Sequence, residues 1–340
     1  MSKKSILLDY SAIQLRERLK QTEIPAYVGD QCLDWVCQKH HLSFDKMANI
    51  SKKNRALLAE MFDVHPFAKV EKVADSDDKA IKYILHLHDG PRVEMVVLKD
   101  PRYYSLCVSS QSGCPVDCKF CLTGVRGFKR QLSVAEILGQ LLIAFSEGYP
   151  ISRLIFMGMG EPLLNYEALI PALAMITSEK GFGIGQRKIT VSTVGYLPGV
   201  KRLIKEQVYL NLAFSVGSTD PLIRRKIMPI QSRFSIAEMA LVLHQYQGMH
   251  NRKLTLEYTL LKGVNESELE MKGLINLATY LDAKVNLINL NPHPEIPYQP
   301  VSSSRVYQLQ GQLRKKGVSV TVRMRKGQDI LAACGQLGGA

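Results

Sequence analysis

The stretch Cys114-Pro-Val-Asp-Cys118-Lys-Phe-Cys121 places three cysteines at C-x3-C-x2-C spacing in one short loop. Side chains of so compact a loop converge on one point, so the thiols cannot each fill a separate core position. Soft thiolates gathered this way suit zinc or an iron–sulfur cluster. A structural zinc site takes four protein ligands, whereas a [4Fe–4S] cube on three cysteines leaves one iron open to a small molecule. The ligand arithmetic therefore favours an open cluster on Cys114, Cys118 and Cys121, with zinc as the alternative if Cys107 or a histidine adds a fourth donor. A second run, Phe156-Met-Gly-Met-Gly160-Glu161-Pro162, joins glycines that admit close backbone approach to a carboxylate suited to an ammonium group. Taken alone, that run reads as a strand-ending turn. Cys32 and Cys37 lie in a helix-like stretch beside Trp35 and read as small buried apolar residues.

The elements that must position these groups follow from periodicity. Residues 11–62 carry apolar residues at helical spacing, among them Leu15, Leu19, Trp35, Val36, Leu57, Leu58 and Met61. Residues 67–99 read as strands, Tyr83–Leu87 and Val93–Leu98, with a turn at His88-Asp89-Gly90-Pro91. From about residue 103 strands alternate with helices. Strands are expected at 105–109, 154–157, 188–192, 210–215, 253–259, 285–290 and 318–322. Helices are expected near 133–147, 166–178, 235–247, 266–281 and 304–316, with a capping box at Ser133 and Glu136. Repeated strand–helix units imply a parallel sheet, open or closed into a full or partial barrel, whose ligand sites gather at the carboxyl ends of the strands. Cys114, Gly158–Glu161, Ser192 and Ser215 fall at such ends.

Lys and Arg number 44 against 31 Asp and Glu, a net charge of +13 that favours a polyanionic partner, chiefly nucleic acid. Lys119, Arg126, Lys129 and Arg130 follow Cys118 with no acid before Glu136. Arg314, Lys315, Lys316, Arg323, Arg325 and Lys326 precede Cys334. No apolar run approaches the ~18 residues of a membrane span, and the first residues are too briefly apolar for a secretory signal. A cytoplasmic protein with reduced thiols is expected.

Several segments together resemble the radical S-adenosylmethionine (SAM) superfamily and, within it, the RNA adenine methyltransferases of the RlmN/Cfr type. They are the three-cysteine loop with Phe120 before its last cysteine, Gly160-Glu161, Leu106-Cys-Val-Ser-Ser-Gln-Ser-Gly-Cys114, and the tail Asp329-Ile-Leu-Ala-Ala-Cys334-Gly-Gln-Leu337. The resemblance runs over nearly the whole chain. It implies an α/β fold: a partial (βα)6 radical-SAM barrel over 103–340, a small N-terminal helical module over 1–66, and a β-rich extension over 67–102 that carries Glu94.

It also implies one [4Fe–4S] cluster on Cys114, Cys118 and Cys121, with two SAM molecules per turnover held through Gly160, Glu161, Ser192, Ser215 and Asn291. An adenine ring carbon offers SAM no nucleophile. In the family's solution one SAM methylates a cysteine, here matched by Cys334, and a second is cleaved at the cluster to a radical that takes a hydrogen from that methyl group. The methylene then adds to the ring. Cys107 matches the cysteine that attacks the Cys334 sulfur, releasing the methylated base and leaving a disulfide. Glu94 matches the candidate for moving the substrate proton.

The N-terminal part and Gly160-Glu161-Pro162 are closer to the branch that methylates adenine C2 than to the C8 branch. The implied substrates are 23S rRNA at the peptidyl-transferase centre and tRNA adenosine 3′ of the anticodon. An external electron donor such as a flavodoxin, a monomeric state and no membrane association are expected. The chain departs from the family at Ser215-Val216-Gly217, where Ser-Leu-His is usual. It departs again at Pro292-His-Pro-Glu295, where Pro-Phe-Pro-Gly is usual. Both bear on SAM affinity or substrate range. The rival reading from another class is a zinc-stabilised RNA-binding protein without catalysis.

Overall fold

Ten strands form one sheet in this computed structural model, which describes residues 4–250, 252–323 and 327–338. Arg325 and Lys326 lie outside the described residues. From one edge the strands run Val320–Arg323, Lys284–Asn289, Thr255–Leu260, Asn211–Ser215, Ile189–Thr193, Ile151–Phe156 and Tyr103–Cys107, all parallel. The helices Val134–Ser146, Tyr166–Thr177, Leu197–Lys205, Ile236–Gly248, Glu268–Tyr280 and Ser303–Lys315 lie between successive strands in the chain. Among the described residues the sheet's two edge strands do not pair with each other, so the barrel is partial.

Alternation along the strands divides the work of the two faces. Leu106, Leu154, Phe156, Val191, Leu212, Phe214, Leu256, Tyr258, Val285 and Leu287 are buried core residues. The residues between them, including Cys107, Ile155, Thr190, Glu257, Asn286, Ile288 and Arg323, line a cavity of about 1110 Å³. The expected capping box forms: Ser133 Oγ accepts the Glu136 amide at 3.2 Å and Glu136 Oε2 accepts the Ser133 amide at 2.9 Å.

The strands of the extension, Phe67–Ala74, Ala80–Leu87 and Arg92–Asp100, continue the same sheet as an antiparallel run joined through Tyr103–Cys107. The strands on either side of residue 102 pair directly with each other. The N-terminal helices Ala12–Leu19, Val28–Cys37 and Lys52–Met61 precede this run. Cys32 and Cys37 are buried there, and burial pushes each thiol up to about 12. This module docks through Asp9, whose Oδ1 accepts the Ala135 amide at 2.9 Å, and through His40, whose ring stacks on Phe145 at 4.4 Å.

Candidate active site

The three-cysteine loop leaves the strand Gln111–Gly113 and ends in the short helix Leu122–Val125. Two glycines make the loop possible. Gly113 holds φ +78° against the Gly127 carbonyl, and a Cβ on Gly124 would meet the Cys118 backbone at 2.9 Å. The Cys114 amide donates to Gly127 O at 3.2 Å, and the Lys119 amide donates to Ile227 O at 2.9 Å, tying the loop to the helix Pro221–Ile227. Cys114, Cys118 and Cys121 consequently line one cavity. Burial pushes the Cys114 thiol up to about 12 and raises Cys118 and Cys121 too, so their ionised forms need a cationic group beside them. Three soft thiols on the wall of one cavity are a donor set that fits a [4Fe–4S] cluster with one open iron.

The same cavity is lined by Gly160, Glu161, Ser192, Ser215 and Asn291. Gly160 has φ +100°, and a Cβ there would strike the Gln111 side chain at 2.5 Å. Glu161 is buried, and burial pushes its carboxyl up to about 7. Its oxygens accept the Leu163 amide at 3.1 Å and the Val194 amide at 2.8 Å, which fixes it between two strand ends. Ser192 and Ser215 oxygens lie 3.4 Å apart on neighbouring strands. The missing histidine has a physical counterpart: Gly217 has φ +71°, and a Cβ there would lie 2.2 Å from Met228 Sδ. Met228 is buried against the space that a side chain at 217 would need. Glu295, the other departure, pairs with Arg126 at 2.7 Å.

Cys334 stands on the wall shared by the two cavities, together with Met157, Glu257, Ile288, Asn291 and Arg323, while Cys107 opens into the larger one. The tail bearing Cys334 is held by specific bonds. Leu122 N donates to Gly335 O at 2.8 Å, Thr123 Oγ1 to Leu337 O at 2.6 Å, and Arg126 Nη1 to Gly338 O at 2.6 Å. The tail therefore docks on the helix that follows Cys121. Burial pushes the Cys107 thiol up to about 12, with Arg323 and the Met157 amide acting in the opposite direction. All seven cysteines are free thiols.

Glu94 is placed apart from this group. It is buried 3.6 Å from Lys82 and lines a separate cavity of about 380 Å³ with Arg92, Arg126, Lys129 and Met159. Of the residues in that cavity, Thr123 also lines the cluster cavity. Sequence reasoning did not single out Glu257, which is buried on the shared wall with Asn286 Nδ2 donating to its Oε2 at 2.9 Å. Its signal was a carboxylate between two threonines, Thr255 and Thr259, on the inward face of its strand. Arg323 appeared only as one cation among several.

Residues 108–273 match the family model of the radical SAM superfamily. A crystal structure of a radical SAM methyltransferase from Sphaerobacter thermophilus superposes with a TM-score of 0.95 at 35% identity, covering 99% of this chain and 100% of that one. Fold and site thus define a radical-SAM methyltransferase, a class that works with a [4Fe–4S] cluster and SAM. Residues 6–64 match the ribosomal RNA large subunit methyltransferase N-terminal domain. "Probable dual-specificity RNA methyltransferase RlmN" of Aquifex aeolicus is 38% identical, with 97% of this chain and 96% of that protein covered. "Dual-specificity RNA methyltransferase RlmN" of Solidesulfovibrio magneticus is 37% identical, with 97% and 95% covered. The chain belongs to the RlmN family.

Proposed function

We propose that this protein methylates C2 of an adenine in RNA, acting on 23S rRNA at the peptidyl-transferase centre and on tRNA adenosine 3′ of the anticodon. The observation that carries the reading is the position of Cys334 on the wall between the cluster cavity and the large cavity that Cys107 lines. Cys114, Cys118 and Cys121 would hold the [4Fe–4S] cluster, and Glu161 would face the SAM ammonium. When bound, the cluster and SAM supply the one-electron chemistry that breaks an unactivated C–H bond.

The chain's own residues do the rest. Cys334 accepts a methyl group on the cluster side and presents it to the adenine on the other side. Asn291, Thr123 and Arg126 hold the tail so that one sulfur serves both cavities. Cys107 attacks the Cys334 sulfur and frees the product. Arg102, Arg153, Arg187 and Lys188 line the larger cavity at the amino ends of the strands. Glu94, in its separate cavity beside Lys82, would act on a proton only at some remove from this wall, whereas Glu257 stands on it.

The reading includes an external electron donor such as a flavodoxin, a monomeric enzyme and a cytoplasmic location. Among the described residues no helix is long and apolar enough to cross a membrane. Mass spectrometry of rRNA and tRNA from a strain lacking the gene tests the function. Loss of 2-methyladenosine that returns with the wild-type gene is expected. Unchanged C2 methylation, or loss of an 8-methyl mark instead, would overturn it.

A further inference from the structure

The reaction outlined above leaves Arg323 without a role. Its residue ends the edge strand Val320–Arg323 and pairs in register with Ile288. Its guanidinium Nη1 donates to Met157 Sδ at 3.3 Å, and the backbone amide of the same Met157 faces the Cys107 sulfur. Met157 thus joins the cation to the thiol through one residue. Arg323, Met157 and Cys334 lie on the wall between the cavities, with Cys107 lining the larger. Cys334, Glu257, Cys107 and Asp100 line the same cavity as the guanidinium. Two of these four are the cysteines proposed to form the disulfide.

We propose that Arg323 is a positioning residue that allows Cys107 to act as a thiolate when it attacks the Cys334 sulfur. The inference rests on the proposed two-cysteine reaction. In the step concerned, the Cys107 thiolate forms a sulfur–sulfur bond with Cys334, and the bond between that sulfur and the methylene carbon breaks. The electron pair of the broken bond stays with the carbon, which takes up one proton to become the methyl group of the product. The two sulfurs are oxidised to a disulfide and the carbon is reduced, so no outside oxidant is needed. Only a thiolate is nucleophilic enough for this.

Cys107 sits where a thiolate is hard to form. It is buried between the strands Arg92–Asp100 and Ile151–Phe156, paired with Val96 and Ile155. Burial pushes its thiol up to about 12, and the Cys334 sulfur adds to that. Other charged groups line the same cavity: Asp100, Arg102, Arg153, Arg187, Lys188 and Glu257. Arg323 stands with Cys334 on the wall between the cavities, and its charge favours the ionised form of Cys107. A guanidinium keeps its charge at any working pH and is weakly hydrated, so it retains its effect when RNA closes the cavity.

The test follows a single turnover of reconstituted holoenzyme on an RNA that the wild type methylates, using Arg323→Met and Arg323→Lys. Three quantities are read: methylation of Cys334 by mass spectrometry, RNA affinity by filter binding, and the rate at which the covalent protein–RNA adduct resolves between pH 6.5 and 9.5. Arg323→Met should methylate Cys334, bind RNA and form the adduct. It should resolve the adduct roughly tenfold or more slowly throughout this pH range, which moves the whole rate profile up by about one pH unit or more. Arg323→Lys should restore most of the rate.

Resolution at the wild-type rate with the wild-type pH profile would overturn the role. So would loss of RNA affinity with no adduct, which would make Arg323 a substrate contact. If Arg323→Met fails to hold its cluster, Arg323→Gln, which also removes the charge, takes its place, and an unshifted pH profile in it counts against the proposal. Cys107→Ala is run in parallel: absence of any adduct there would mean that the two-cysteine reaction itself is wrong.

Discussion

The Asn291 side-chain amide donates to the Cys334 carbonyl at 2.9 Å, joining the end of the strand Lys284–Asn289 to the tail that carries the proposed methyl acceptor. Gln328 Nε2 reaches Asn291 Oδ1 at 3.3 Å, so both ends of this amide are used on the tail. Gln336 Nε2 adds a bond to Pro292 O at 3.1 Å.

Asn291 therefore has a positioning role besides any contact with SAM. Asn291→Ala should lower methyl transfer by about 10- to 100-fold, because small misplacements of a reacting group are costly. Cluster absorbance should stay intact and SAM affinity within about twofold, since the lost bonds are to the tail. A fall in SAM affinity that matches the fall in turnover would assign Asn291 to SAM alone.

Gly217 and Met228 form a complementary pair. Gly217→Ala should destabilise the protein by about 1–3 kcal/mol, through left-handed backbone strain and overlap with Met228. In Gly217→Ala/Met228→Ala the overlap is gone and only the backbone strain remains. The double variant should then be less destabilised than the sum of the two single ones. Thermal melts of the four proteins check this; strictly additive losses would contradict the pairing.

His40 links stability to pH at the docking of the N-terminal module. Burial against Phe145 and Phe182 holds its imidazole below the ordinary 6.5, and His65 is lowered for the same reason. Since the folded value is the depressed one, the stabilising contribution is present above pH 6.5 and is lost as pH falls through the folded value. His40→Asn suits the left-handed φ of 57° at this position and does not titrate. Its melting temperature should fall less than that of the wild type between pH 7.5 and 5.5. An equal fall in both would contradict the assignment.

The three-cysteine loop was legible because its thiols sit in one stretch of chain, and all three line one cavity. The parallel core was legible too, since its apolar strands alternate with amphipathic helices. Cys107 and Cys334 came together only through family resemblance, because long-range partnership leaves no local periodic trace. Glu257 and Arg323 are each one inward residue on a strand of alternating pattern, which says which face they share but not which thiol they meet. The helices Leu197–Lys205 and Pro221–Ile227 were not foreseen, although Asp220 caps the latter by accepting the Leu222 and Ile223 amides. Glu94, too, was reached only through the resemblance; its strand pairing with Ile84 sets it 3.6 Å from Lys82.

In the proposed reaction Cys334 carries the methyl carbon to RNA and Cys107 releases it. Cys107→Ala holoenzyme incubated with SAM, reductant and RNA tests this most directly. A protein–RNA band is expected on a denaturing gel, one that disappears with RNase and whose RNA is attached to Cys334. Free methylated RNA released at the wild-type rate, with no such band, would contradict it.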